Sequence, residues 1–485
     1  VNQASASNHV DVLIIGAGLS GVGAAAQLTR EHPGKSYALL ERRPRMGGTW
    51  DLFRYPGIRS DSDMFTLGYR FKPWRGDKAL ADGPSILAYV QETAREYGID
   101  RHVRYDHSVT AASWDSETAT WTVTVEHGGA TSEMTCGFLW ATTGYYDYEQ
   151  GYRPEFPGEE SFTGELIHPQ HWPEGFDHTG KRVVVIGSGA TAVTLVPALA
   201  DSGAAHVTML QRSPTYILSL PAEDRIAQAL RKVLPEKLSY AVTRWKNVGV
   251  ATALFQLSQR RPQMMRGVIR KENLKRLPAG YDVDTHFKPT YNPWDQRLCL
   301  VPDGDLFRVV SDGTAEVVTD TIETLTPTGV RLASGREIEA DVVVTATGLN
   351  LKAFGGMTFE VDGRKVELPD TMAYKALMLS GVPNFAFTIG YTNASWTLKA
   401  DLVAEYVCRL LSHLDEHGLR AAVPRPDPSV GEEPFMDFAA GYVLRALDEL
   451  PKQGSVEPWK LKQNYFHDMR TIRRGPIDDG ALVFS

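Results

Sequence analysis

Twice in this chain an apolar strand pattern runs into a glycine turn that opens a small-residue helix, and few folds accommodate that. The first copy is the run Val10 to Ile15, then Gly16, Gly18, Ser20 and Gly21 in a G-x-G-x-x-G turn, then a helical stretch from Leu19 to Arg30. A second apolar run, Tyr37 to Leu40, ends on Glu41. The second copy begins with Arg182 to Ile186, turns through Gly187, Ser188, Gly189, Ala190, Thr191 and Ala192, and continues as a helix through Thr194. Its second strand, His206 to Leu210, ends on Gln211-Arg212-Ser213. Strand, glycine turn, helix and strand make a βαβ unit, in which the glycines let backbone approach a pyrophosphate and the helix N-terminus faces the phosphates. Two such units predict an α/β chain with two Rossmann-like dinucleotide-binding domains.

Two strand ends closed by small residues, Phe138 to Gly144 and Val342 to Gly348, read as places where the chain leaves and re-enters the first domain. The second domain is then inserted in the first. The expected division is 9–145 plus 345–485, and 146–224 plus 277–344, with a helical insertion over 225–276. Alternation between Trp114 and Val125 predicts a hairpin. The insertion stands apart in composition, with thirteen Lys or Arg against Glu236 and Glu272, while the whole chain carries −8. Its apolar residues recur at helical spacing, from Ile226 and Leu230 to Val242 and Trp245. Such a face is either a solvated surface packed on the body or a peripheral contact with anionic lipid.

The net negative charge argues against a nucleic-acid partner. Three cysteines with no CxxC spacing exclude a sequence-adjacent redox dithiol and fit a reducing, cytoplasmic compartment. The first residues show no signal-peptide pattern, and no apolar run is long enough for a membrane span.

The two sites differ at the strand end that meets the ribose. Glu41 offers a carboxylate to ribose hydroxyls and disfavours a 2′-phosphate. Arg212 with Ser213 is what a 2′-phosphate needs, which makes NADPH the expected second dinucleotide. After Glu41, Arg45 to Asp61 reads as a ligand-lining loop: Gly47-Gly48 admits a ring system, and Trp50 is either its wall or core. In Phe162 to Pro173, His168 and His171 are a weak metal pair by spacing, or the segment is a linker held by His168.

With these residues in place, the chain resembles the Baeyer–Villiger monooxygenases, the class B flavoprotein monooxygenases. Gly47, Gly48, Trp50, Tyr55, Pro56, Gly57 and Asp61 match one pattern of that family, and Phe162, Gly164, His168, Trp172 and Pro173 match its principal fingerprint. The resemblance implies FAD in the first site, contacted by Gly16, Gly18, Ser20, Gly21, Glu41, Thr49, Trp50, Asp51, Leu52, Asp61 and the backbone of Val109. It implies NADP contacts from Arg59, Ser60, Asp61, Gly187 to Ala192, Thr194, Arg212 and Ser213. His168 then has a conformational role, coupling domain motion to turnover. Arg297, in YNPWDQRLCLVP, becomes the catalytic cation oriented by Asp61. Gln296 stands where many members carry Lys beside the 2′-phosphate, so Arg212 carries the NADPH preference. Further strings, among them GYTNASWTLKADLV, are similar to a thioamide-oxidising subgroup, and Gly390 to Thr397 within it is expected as a loop beside the flavin, with no catalytic residue. The implied activity is insertion of one oxygen from O2 into small hydrophobic ketones, with sulfides and thioamides also oxygenated. A flavin enzyme restricted to S- or N-oxygenation and a non-catalytic FAD/NADP redox sensor are the competing readings. A pure binder needs neither Arg297 nor Asp61.

Overall fold

The computed structural model describes residues 8–296, 298–436 and 441–485. Two open sheets carry the architecture. In the first, His9–Ile15 lies between Tyr37–Leu40 and Ala130–Ala141, all parallel, with Phe385–Phe387 on the outer side of the last. The sequence of His9–Ile15 explains its central place. Val12 and Ile14 enter the core on one face, and Leu13 and Ile15 enter a second core on the other. A strand buried on both faces needs apolar residues at successive positions, which this run supplies.

Helix α1 (Leu19–Glu31) covers the first face together with the long helix near the C-terminus. Its small residues let it lie close: a Cβ at Gly21 would overlap the Gly16 carbonyl oxygen. The opposite face is covered by an antiparallel layer. Ser108–Asp115 and Thr120–His127 form the expected hairpin, and Ala130–Ala141 serves both arrangements, antiparallel in its first half and parallel in its second. Trp114, Trp121 and Phe385 fill that side.

The second sheet is parallel throughout, in the order Ala315–Thr319, His206–Gln211, Arg182–Ile186, Val342–Thr345 and Glu165–Ile167. Helix α2 (Ala190–Asp201) covers one face and a three-stranded meander from Ile322 to Glu339 covers the other. The chain passes between the sheets twice, and the crossings pair with each other through Tyr146–Gly151 and Leu349–Leu351.

Residues 225–276 form three helices: α3 (Arg225–Val233), α4 (Glu236–Arg260) and α5 (Pro262–Arg276). Asp224 caps the first by accepting from the Ala227 N–H, and its carboxylate also pairs with Lys246 of α4 at 2.5 Å. Helix α6 (Trp396–His417) runs under the first sheet. Among the described residues no helix is long and apolar enough to cross a membrane.

Candidate functional site

A cavity of about 460 Å³ opens where the strands of both sheets end at their C-terminal edges. That edge is where open α/β sheets bind ligands. Gly16, Gly18, Ser20, Glu41, Thr49 and Trp50 line it from the first unit, and Gly189, Ala190, Thr191 and Thr194 from the second. Arg59, Ser60, Asp61 and Val109 complete the predicted set found there.

The geometry of the first turn suits a dinucleotide. Gly16 takes φ +101°, and a Cβ there would stand 3.0 Å from the Thr142 carbonyl oxygen. Glu41 is buried and accepts from the N–H groups of Ala17 at 2.8 Å and Arg43 at 3.0 Å. Burial raises its pKa despite those donors, as expected for a carboxylate that has lost most of its water. Each oxygen keeps a lone pair for a ribose hydroxyl. Gly18 is the N-cap of α1 and closes against Gly48, whose own φ is +56°.

The loop from Trp50 to Asp61 has a second task that sequence alone did not expose. Phe53 and Tyr55 are buried in the core of the second sheet, not the first. Gly57, at φ +76°, passes so close to α2 that a Cβ would be 2.6 Å from the Ala198 Cβ. Burial, opposed by a hydrogen bond to Thr191, pushes the Tyr55 hydroxyl up to about 12. The aromatic-Pro-Gly step is therefore the seam between the two nucleotide units. Arg59 extends it, with its guanidinium 2.5 Å from the Asp305 carboxylate at the start of the helix Asp305–Ser311.

Several expected contacts are placed elsewhere. Asp51 does not line the cavity; its side chain is 2% exposed and is bound by Arg43, Arg45 and Arg54. Leu52 packs against the core of the second sheet. Gly21, Gly187 and Ala192 act in packing, since a Cβ on Gly187 would overlap the Ala346 carbonyl and Ala192 is fully buried beneath its helix. Arg297 lies outside the described residues, although Leu298 and Leu300, which follow it, line the cavity described below.

The second turn is more open. The Ser188 hydroxyl lies 2.8 Å from that of Thr215 and donates to the Ser213 carbonyl at 3.1 Å, which brings the turn beside Arg212 and Ser213. Both of those residues are exposed. Replacing Arg212 by alanine is expected to raise KM for NADPH about tenfold to a hundredfold, the worth of a charge-assisted bond, and to leave KM for NADH unchanged. Steady-state kinetics with both cofactors checks this; equal weakening would assign Arg212 a structural role.

Phe162, Gly164, His168 and Trp172 stay clear of this cavity. The half-buried His168 ring contacts the Gly348 carbonyl at 3.3 Å and accepts from the Gln170 N–H at 3.2 Å. Gly151 approaches so closely that any Cβ would enter the ring. His168 thus holds both crossings between the sheets, and burial lowers its pKa. His171 reaches the Glu149 carbonyl on the same crossing at 3.0 Å. Phe162 packs over Gly164, and Trp172 meets Phe176 edge to face at 5.8 Å.

The aromatic wall combines the loop 390–397, expected beside the flavin, with tyrosines that the sequence reading missed. Trp396 donates from its indole N–H to the Ser20 hydroxyl at 2.7 Å, and its ring lies 5.2 Å from that of Tyr145. Tyr146, Tyr148 and Tyr391 line the same space. The cluster YYDY directly after the Gly144 strand end was the available signal.

A second, apolar cavity of about 780 Å³ adjoins the first. Val248, Ala251, Leu254 and Phe255 of α4, with Leu218, Met265, Trp294 and Leu298, form its walls. Asp61, Ser62, Leu300 and Ala394 line both cavities, so Asp61 stands where they meet. Helix α4 is fixed to that junction by residues on one face. The Tyr240 hydroxyl donates to the Tyr69 carbonyl, Arg244 donates to the carbonyls of Phe65 and Gly68 at 2.9 and 2.7 Å, and Asn247 donates to Asp63. Arg244 also pairs with the buried Asp401 of α6 at 2.8 Å.

Two dinucleotide folds meeting at an aromatic cavity, with an apolar chamber behind, define a flavoprotein oxidoreductase. Comparison with known proteins makes this specific. Residues 80–279 match a flavin-binding monooxygenase-like family and residues 14–72 an NAD(P)-binding Rossmann-like domain. The chain is 60% identical to the FAD-containing monooxygenase EthA of Mycobacterium tuberculosis over 99% of its length and 98% of that protein. It is 48% identical to the probable FAD-binding monooxygenase AlmA of Acinetobacter baylyi, covering 98% and 96%. A steroid monooxygenase bound to NADP shares the fold, with TM-score 0.75 at 22% identity over 98% of this chain and 99% of that one. The chain belongs to the FAD-containing class B flavoprotein monooxygenases, of the EthA type.

Proposed function

We propose that this monooxygenase uses FAD and NADPH to insert one oxygen atom from O2 into hydrophobic ketones, giving esters or lactones, and that it also oxygenates sulfides and thioamides. The observation that carries the reading is Asp61 at the meeting point of a dinucleotide cavity and an apolar chamber. When bound and reduced by NADPH, FAD supplies the activated oxygen. The protein then has three tasks. The Gly16–Gly21 turn and Glu41 hold the phosphates and ribose of the first dinucleotide, and Ser188 to Thr194 with Arg212 hold the second. The aromatic wall of Tyr145, Tyr146 and Trp396 excludes water from the reacting centre. Asp61 orients Arg297, whose permanent charge stabilises the oxyanion that develops on the carbonyl.

The division into 9–145 plus 345–485 and 146–224 plus 277–344, with 225–276 inserted, is retained as the working domain scheme. His168 is assigned to coupling their motion, supported by its contacts with both crossings. A reducing cytoplasmic setting belongs to the same reading, carried by three cysteines with no paired spacing in the sequence. Peripheral lipid contact is assigned to the basic insertion.

The test uses FAD-loaded enzyme, a medium-chain aliphatic ketone, NADPH and O2, with products identified by mass spectrometry. The expected result is an ester one oxygen heavier than the ketone, absent with Arg297→Ala. NADPH consumption that yields only hydrogen peroxide with every ketone, but sulfoxide with sulfides, would replace ketone insertion by S-oxygenation. No NADPH turnover at all would favour the redox sensor.

A further inference from the structure

Exposed large apolar side chains are concentrated in one part of this molecule. Eleven of the fifteen among the described residues fall between Ile226 and Leu274, on α3, α4 and α5. They form stripes at helical spacing: Ile226 and Val233 on α3, Leu238, Val242 and Trp245 on α4, Met264 and Val268 on α5. Trp245 is 45% exposed and stacks on the exposed Phe466 at 6.1 Å, which extends the surface onto the C-terminal region.

The charge on these helices is of one sign. Residues 225–276 carry 13 − 2 = +11, so the remaining residues carry −8 − 11 = −19. Much of the acidity that could neutralise the surface is elsewhere. Arg75 with Glu236, Lys246 with Asp224, and Arg270 with Asp284 are paired. Lys232, Lys237, Arg260, Arg261 and Lys271 are exposed and make no ion pair with the described residues. Apolar stripes interleaved with unpaired bases, with Trp at their edge, match the chemistry of an anionic lipid surface: acyl chains accept the stripes and phosphates accept the bases.

The apolar cavity ties this surface to the reaction site. Ile226, Val250 and Leu254 are exposed and also line that cavity, so they form its outer rim. Its inner end shares Asp61, Leu300 and Ala394 with the dinucleotide cavity. The same helices thus carry exposed apolar stripes and, through Ile226, Val250 and Leu254, the exposed rim of a passage to Asp61.

We propose that α3, α4 and α5 dock on an anionic bilayer and that the rim of Ile226, Val250 and Leu254 is a portal through which lipophilic substrate enters from the lipid. The substrate half of this statement rests on the monooxygenase reading; the docking half does not.

Flotation of the FAD-loaded enzyme with vesicles tests the docking. The enzyme is expected to float with phosphatidylcholine vesicles containing about a third phosphatidylglycerol, to float poorly with phosphatidylcholine alone, and to be released as salt approaches about 1 M, where charges are screened within a few ångströms. Leu238→Glu combined with Val242→Glu is expected to abolish flotation. Neither residue lines a described cavity, so FAD absorbance and turnover of a water-soluble ketone stay at wild-type levels. Should that variant fail to fold, Lys232→Glu with Lys237→Glu gives the same loss through charge alone. With a long-chain ketone carried in anionic vesicles, apparent KM rises at least tenfold in these variants and kcat is kept. Failure of the wild type to float with anionic vesicles overturns the proposal. So does a wild-type dimer that these variants dissociate, since the face is then a self-association surface. Normal flotation by an enzyme that oxygenates no ketone in any form retains the docking and rejects the functional reading.

Discussion

Replacing Arg244 by methionine is expected to destabilise the protein by about 3–5 kcal/mol near pH 8, and by distinctly less near pH 5. Arg244 and Asp401 are among the most enclosed charges in the molecule, with side chains 6% and 8% exposed. The guanidinium is satisfied by three backbone carbonyls and one carboxylate, so removing it strands three carbonyl oxygens and leaves Asp401 only the Arg70 N–H. Burial, which outweighs the attraction of Arg244, raises the Asp401 carboxyl to about 6. A folded-state pKa above the unfolded value near 3.8 means that its contribution to stability is fully present below pH 3.8 and lost as pH rises through about 6. Without Arg244 the carboxyl is held neutral to still higher pH, at a cost that grows with each pH unit above 6. Urea unfolding of both proteins from pH 5.5 to 8.5 checks this. A penalty that does not change with pH would mean that packing, not the buried charge, is what Arg244 provides. Combining Arg244→Met with Asp401→Asn should recover part of the loss at pH 8.

That ion pair matters beyond stability because of what it joins. Helix α4 encloses the apolar chamber on one side, and through Tyr240, Arg244 and Asn247 it grips residues 63 to 69, just beyond Asp61. The Thr66 hydroxyl meets that of Ser395 at 2.5 Å, next to Trp396 of the aromatic wall. Although α4 lies within the stretch of chain that includes the second sheet, its hydrogen bonds attach the chamber to the loop and helix of the first.

The parts of the fold and site that were legible in the sequence are those encoded locally. Each glycine turn sits between a strand and a helix contiguous with it, so one short window contains the pattern and its reason. The hairpin over Trp114 to Val125 is local in the same sense. The loop 390–397 is expected beside the flavin, but its contact with Tyr145 was not legible, because Tyr145 and Trp396 are 251 residues apart and meet only when Ala130–Ala141 and Phe385–Phe387 pair in parallel. A motif match also does not separate ligand contacts from packing. Trp50 and Asp51 are adjacent in one matching string, yet one faces the cavity and the other faces three arginines below it. The same holds for Gly57, which matches a cofactor pattern and closes the seam against α2. Whether an exposed apolar stripe is covered depends on the whole surface, which no local window of sequence contains.

Asp61→Ala is expected to lower ketone oxygenation about 10²–10³-fold while FAD remains bound. In the proposed reading the dinucleotide phosphates fall to the Gly16–Gly21 turn and not to Asp61. It is carried by the bend that follows the Pro56-Gly57 seam and stands where the dinucleotide cavity and the apolar chamber join. On the proposed reading, a carboxylate there would fix the direction of the Arg297 guanidinium, and with water excluded such a pair is far stronger than at the surface. Loss of the carboxylate would then leave Arg297 charged but unaligned, so the cation would no longer match the charge that forms in the transition state. NADPH oxidation should therefore fall less than product formation, with the difference appearing as hydrogen peroxide. Asp61→Asn keeps the shape and one acceptor but loses the charge, and it should lie between the two in product yield. Product and peroxide assays on FAD-loaded protein distinguish the outcomes. If Asp61→Ala forms ester at the wild-type rate, Asp61 only shapes the junction, and the orientation of Arg297 has to come from another group.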